Sequence, residues 1–214
     1  MKKVICMLLA FVLAAGALAG CTADEQKENN VMELDGMNMT AENVSPYEGR
    51  FLEDGGNEIA SGVYAMKFTN TGDQTIQNAQ LFFSNGTEEL VFWVEMLAAG
   101  QSVTVAELNM LAVAEGDVEF LDGMVTCLEA GLENADCVEV SGGNNGMIQV
   151  RNTTDEALPL VRIFYRHTDS EGNQIGGPCY SAMVDGIEAN GTAEAEAEFW
   201  TDDCVVVTVL VVNE

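Results

Sequence analysis

One histidine, His167, serves the whole 214-residue chain. Any Ser-His-Asp or Cys-His relay would have to use it, because imidazole is the side chain that moves a proton near neutral pH. No Gly-x-Ser-x-Gly elbow accompanies it, and its position just past an apolar run at 160–165 predicts a residue at a strand end, on the surface or in a turn. The segment Asp169-Ser170-Glu171-Gly172-Asn173 reads as a hairpin loop, lacking the alternating oxygen ligands and closing glutamate of an EF-hand. Asp202 and Asp203 beside Cys204 offer carboxylates to a calcium ion at a loop end, although a charged turn before a buried strand needs no ion. Met32, Met37 and Met39 offer thioethers to a soft metal, but no His or Cys joins them and core packing explains them better. The glycine-rich 142–146 stretch precedes a strand, so it lacks the helix N-terminus on which phosphate loops depend. With 35 acidic residues, carboxylate pairs must occur by chance, and none stands out for glycosidase chemistry. No catalytic residue and no cofactor are expected from this set, and metal binding stays open.

The N-terminus carries a clearer pattern. Lys2 and Lys3 precede an apolar run at 4–15, too short for a span of about 20 residues but suited to the h-region of an export signal. It ends in Leu18-Ala19-Gly20-Cys21. This tetrapeptide resembles the lipobox of bacterial lipoproteins, in which the cysteine is diacylated and becomes the N-terminus after cleavage. The resemblance implies a signal peptide at 1–20, lipidation at Cys21 and residence at the extracytoplasmic face of the cell membrane. Two acyl chains, each buried methylene contributing about 0.8 kcal/mol, give stable anchoring. Polar residues follow at once (Thr22, Asp24, Glu25, Gln26), so 21–34 reads as a flexible tether.

Removal of Lys2 and Lys3 with the signal leaves 8 − 2 = 6 basic residues against 35 acidic ones, a formal charge of −29. Such a chain repels phosphate backbones, which excludes nucleic acid as a partner, and repels anionic headgroups, which leaves attachment to the lipid anchor. Cys127, Cys137, Cys179 and Cys204 remain after Cys21. An even number in an exported protein predicts disulfides, and four cysteines allow three pairings. Cys127–Cys137, which would pin the connection between the halves, and Cys179–Cys204, which would stay within the second half, are favoured; free thiols in a reducing habitat are the alternative. No Cys-x-x-Cys pair is present, and the spacings do not suit a zinc ribbon.

These residues must be positioned by strands. Period-2 patterning puts Tyr64, Met66 and Phe68 on one side of a strand at 63–68. Segments 80–83 and 90–96 read as a hairpin around Ser84-Asn85-Gly86-Thr87, since Asn-Gly tolerates positive φ. Further strands are expected at 101–108, 147–150, 160–165, 179–183, 192–199 and 205–212. The last is so rich in β-branched residues that it reads as central or buried on both faces. Only 110–114 and 128–134 have any helical character. Trp93 and Trp200 read as core anchors in analogous strands.

The halves also match each other. Phe68-Thr69-Asn70-Thr71-Gly72-Asp73 aligns with Val150-Arg151-Asn152-Thr153-Thr154-Asp155, and Ala79-Gln80-Leu81-Phe82-Phe83 then meets Val161-Arg162-Ile163-Phe164-Tyr165. Each copy is strand, Asn-Thr-x-Asp turn, strand, with the boundary expected near 128–136. This pattern resembles the immunoglobulin-like β-sandwich modules of bacterial surface lipoproteins, including the FxLYD kind, although both copies lack that motif's terminal Tyr-Asp. The resemblance implies an all-β fold of two tandem sandwiches, at 35–127 and 128–214. The expected role is a non-enzymatic binding or structural module of the cell envelope that meets a protein partner at the cell surface. A calcium- or small-solute-binding lipoprotein and a cell-wall hydrolase are the alternatives.

Overall fold

The computed structural model describes residues 31–56, 58–129, 135–143 and 146–212. The expected signal segment, Cys21 and the expected tether up to residue 30 lie outside the described residues, as do 130–134 of the expected connection and Asn144 and Asn145 of the glycine-rich turn. The fold is all-β, its sheets packed as sandwiches. Among the described residues there is no α-helix, and so none long and apolar enough to cross a membrane; a single 3-10 turn covers Ala135–Cys137.

The first half contains β1 (Val31–Leu34), β2 (Met39–Asn43), β3 (Tyr47–Phe51), β4 (Glu58–Val63), β5 (Ala65–Asn70), β6 (Ile76–Ser84), β7 (Glu89–Leu97), β8 (Ser102–Ala106) and β9 (Glu119–Cys127). The second contains β10 (Val138–Gly142), β11 (Met147–Asn152), β12 (Leu158–His167), β13 (Gln174–Ile175), β14 (Tyr180–Ile187), β15 (Thr192–Glu196) and β16 (Cys204–Val211). In the first half, β2-β5-β8 forms the heart of one sheet and β7-β6-β9 forms the other. In the second, β10-β11-β15 and β14-β12-β16 repeat the same order. The alternation of the sequence explains the layers, because side chains on a strand point alternately to its two faces. Met66, Phe68, Leu81, Phe83, Phe92 and Val103 meet between the first pair of sheets, and Ile148, Val150, Val161, Ile163 and Val184 between the second. Phe92 meets Phe68 and Phe83 edge-on with ring centroids 5.6 Å apart, and Phe68 lies tilted against Phe83 at 6.1 Å, filling the first core.

The repeated asparagines hold equivalent positions. Asn70 is buried at the end of β5; its amide donates to the carbonyls of Gln74 (2.8 Å) and Leu97 (2.9 Å), and its side-chain oxygen accepts from the Gly72 amide. Asn152 ends β11, donates to Glu156, Ile187 and Glu188, and accepts from the Thr154 amide. In both halves the asparagine therefore ties the turn after its strand to the distant end of β7 or β14, satisfying carbonyls that would otherwise be buried without a donor.

Several expectations are corrected. β1 takes in 31–34, assigned above to the tether, because Leu34 is buried and the strand pairs with β2. β16 is an edge strand, not a central one: β12 lies between it and β14, and Val205 is 37% exposed. Residues 110–114 form no helix, Ala112 instead bridging to Val63. Trp93 is 45% exposed on the outer side of β7, and Trp200 lies in the turn after β15, packed on the second core, so they are not equivalents. No disulfide forms among the described residues. Cys204 begins β16 opposite His167, while Cys179 precedes Tyr180, which pairs with Tyr165 on the other side of β12. Two strand spacings place such residues roughly 9–10 Å apart, beyond the reach of a disulfide. Cys137 is buried in the second core, whereas Cys127 is exposed at the end of β9. The methionines near the tether behave as packing: Met39 is buried, and Met32 and Met37 lie against the first core.

The halves meet through β13, which leaves the second half to run parallel to β8 in the first half's sheet (Gln174 opposite Val103). Gly177 follows, its carbonyl accepting from the Glu95 amide at 2.9 Å. A Cβ there would collide with the Trp93 carbonyl oxygen. Arg166, wholly buried, donates to the Glu95 carbonyl, to Gln174 Oε1 (2.8 Å) and to the Gly177 carbonyl (3.4 Å).

Candidate functional site

The chemically equipped place among the described residues lies at one end of the β12–β16 ladder. His167 is the last residue of β12 and Cys204 the first of β16, and they face each other in register. The turn before β16 is drawn in by its backbone: the Thr168 amide and hydroxyl both donate to the Asp203 carbonyl, at 2.7 and 2.8 Å. His167 is 3% exposed, against the surface or turn position expected. Its Nδ1 lies 3.3 Å from Cys204 Sγ, 3.3 Å from Thr201 Oγ1 and 3.6 Å from Asp203 Oδ1. Thr201 Oγ1 also donates to Asp203 Oδ1. Arg50, from β3 of the first half, places Nη1 2.6 Å from Asp203 Oδ2 and 3.5 Å from His167 Nδ1.

Burial, then the Arg50 charge, holds the His167 imidazole below its ordinary range; Asp203 pulls the other way and loses. Burial alone would raise the Asp203 carboxyl, but the Thr201 hydroxyl, its own backbone amide, His167 and Arg50 together keep it below the usual carboxylate value. Burial pushes the Cys204 thiol up. The resting cluster is thus a neutral imidazole, a thiol and a carboxylate paired with a guanidinium. Sγ and Oδ1 both address Nδ1, whereas a catalytic relay puts nucleophile and carboxylate on opposite ring nitrogens. Three donor atoms, one from each of His167, Asp203 and Cys204, lie within 4.8 Å of one another, a grouping able to hold a metal ion.

An aromatic wall stands beside the cluster. Tyr180 touches the His167 ring edge-on at 5.6 Å and stacks on Phe199 at 4.7 Å, while Tyr165 packs edge-on against Trp200 at 5.2 Å. Burial raises the Tyr165 phenol to about 12, so it remains neutral in this wall. A polar groove of about 560 Å³ lies elsewhere, between Lys67, Gln101 and Thr104 on one side and Gln174, Val205 and Val207 on the other.

Of the residues singled out in the sequence, the structure brings together His167, Asp203 and Cys204. It keeps Asp169 apart as a turn residue whose carboxylate accepts from the Glu171 and Asn173 amides. Cys127, Cys137 and Cys179 lie outside the cluster; Cys179 Sγ instead contacts the Tyr165 carbonyl at 3.4 Å. Arg50 and Thr201 were not anticipated. Antiparallel pairing of the runs at 160–165 and 205–212 brings the end of one near the start of the other, but neither the bulge between Phe164 and Tyr165 that sets 167 opposite 204 nor the approach of Arg50 from 117 positions away is announced in the sequence. No protein-family model matches the chain, and no curated protein is significantly similar to it.

Proposed function

We propose that the chain is a lipid-anchored, extracytoplasmic envelope protein: a non-enzymatic binding or structural module displayed from Cys21. One observation carries this reading, the Leu18-Ala19-Gly20-Cys21 tetrapeptide behind a short basic and apolar leader. The start of β1 at Val31, ten positions after Cys21 (31 − 21 = 10), supports it, because a ten-residue extended tether reaches at most roughly 35 Å and displays the folded body close to the bilayer. The matching strand orders of the two halves support tandem immunoglobulin-like modules, 31–127 and 128–214, whose outer faces and loops would meet a protein partner at the cell surface.

The test is a Cys21→Ser variant expressed in a bacterial host. The unaltered protein is expected in the membrane fraction even at high salt, because acyl burial is insensitive to ionic screening and the acidic body is repelled by the headgroups. The variant is expected to lose that retention. Equal retention of both forms, or an unaltered protein free in solution, would refute the anchor.

A further inference from the structure

We infer that His167, Asp203 and Cys204 form a binding site for a borderline-soft divalent cation of the zinc class. Zinc bonds of about 2.0–2.3 Å to nitrogen, oxygen and sulfur put tetrahedral ligands about 3.3–3.8 Å apart. His167 Nδ1 is 3.3 Å from Cys204 Sγ and 3.6 Å from Asp203 Oδ1, so two edges of that tetrahedron are already set. All three donor atoms lie within 4.8 Å of one another.

The backbone holds these donors in place. His167 and Cys204 are a register pair of a β-ladder, and Thr168 fixes the Asp203 backbone with two hydrogen bonds. Little chain entropy is therefore lost when a cation enters, as expected of a preorganised site. Thr201 Oγ1 and Arg50 are the outer-shell partners: on Asp203 the hydroxyl donates to Oδ1, which would bind the metal, and the guanidinium to Oδ2, while Thr201 Oγ1 and Arg50 Nη1 also lie 3.3 and 3.5 Å from His167 Nδ1. Such partners orient a ligating carboxylate. A tetrahedral ion would take its fourth ligand from water or a partner's side chain.

The donor set also selects the ion. Calcium takes six to eight oxygens and has no use for a thiol, whereas sulfur and imidazole together favour zinc and its neighbours. The sequence pointed to calcium through Asp202 and Asp203; the geometry replaces that idea with one carboxylate, one imidazole and one thiolate. On binding, the Cys204 S–H proton is released to solvent and the sulfur coordinates as thiolate.

Titration of the reduced, signal-free protein with cobalt(II) tests this, because a cobalt–thiolate bond gives a charge-transfer band in the near ultraviolet. One equivalent should produce the band, zinc should abolish it and excess calcium should leave it unchanged. Cys204→Ser should remove it and Cys127→Ser should keep it. Near-ultraviolet circular dichroism of the tryptophans establishes that each variant is folded. Asp203→Asn, which retains the thiol, provides a second arm: cobalt affinity should fall by more than about tenfold, the lower end of what loss of an outer-shell partner already costs. Absence of the band, its survival in folded Cys204→Ser, its loss in folded Cys127→Ser, or unaltered affinity in Asp203→Asn would overturn the site.

Discussion

At the level of single residues, the two buried asparagines are where the sequence is most legible. Asn70 and Asn152 stand out because the surrounding strings match, and the structure gives them equivalent work at the ends of β5 and β11. Asn152→Ala leaves the Glu156, Ile187 and Glu188 carbonyls without their donor; urea unfolding should register a loss of about 2–3 kcal/mol, and Asn70→Ala a similar one. Glu53 was invisible to the same reading, because one acid among 35 carries no mark of its burial. Its carboxylate accepts from the Ala106 and Leu52 amides, yet burial outweighs these bonds and raises its pKa. The folded chain therefore holds this proton more tightly than the unfolded chain. The resulting stabilisation is complete below the ordinary value near 4.3 and lost as pH rises through the elevated one. Stability of the unaltered protein relative to Glu53→Gln should thus be greater at about pH 4.5 than at about pH 7. An unchanged or reversed difference would contradict the assigned shift.

Strands were legible where one face is buried and harder to place where neither face is. The expected hairpin became β6 and β7 because Leu81, Phe83, Phe92 and Val94 alternate inward. The run at 205–212 was misread as central since β-branched composition reports strand propensity, not place in a sheet. In β16 that run lies at an edge with most residues half-covered. β13 escaped notice altogether: a two-residue strand has no periodicity, and its partner β8 lies in the other half. Its attachment depends on Arg166, whose type and position gave no sign of an internal cation. Arg166→Met deprives the Glu95 and Gly177 carbonyls and Gln174 of their shared donor. It should lower unfolding stability by roughly 2–4 kcal/mol, charge-assisted bonds being stronger than neutral ones. It should also speed hydrogen exchange at Ile175 and Gly176 more than in β11. Equal exchange in both places would show that Arg166 does not hold the halves together.

For the molecule as a whole, duplication, acidity and anchoring fit one picture. Two sheet pairs with the same strand order each enclose a core of their own, and the formal charge of −27 keeps the molecule apart from like-charged neighbours. That charge offers no grip on an anionic bilayer, so the proposed membrane attachment depends on acylation of Cys21. Intact-mass spectrometry of the native protein, before and after reduction, measures this directly. The expected species is a chain beginning at Cys21, heavier than its amino acids by the acyl modification, and unchanged in mass by reductant because no disulfide joins Cys127, Cys137, Cys179 and Cys204. A chain that retains its first twenty residues, or one that begins at an unmodified Cys21, would contradict the proposed attachment.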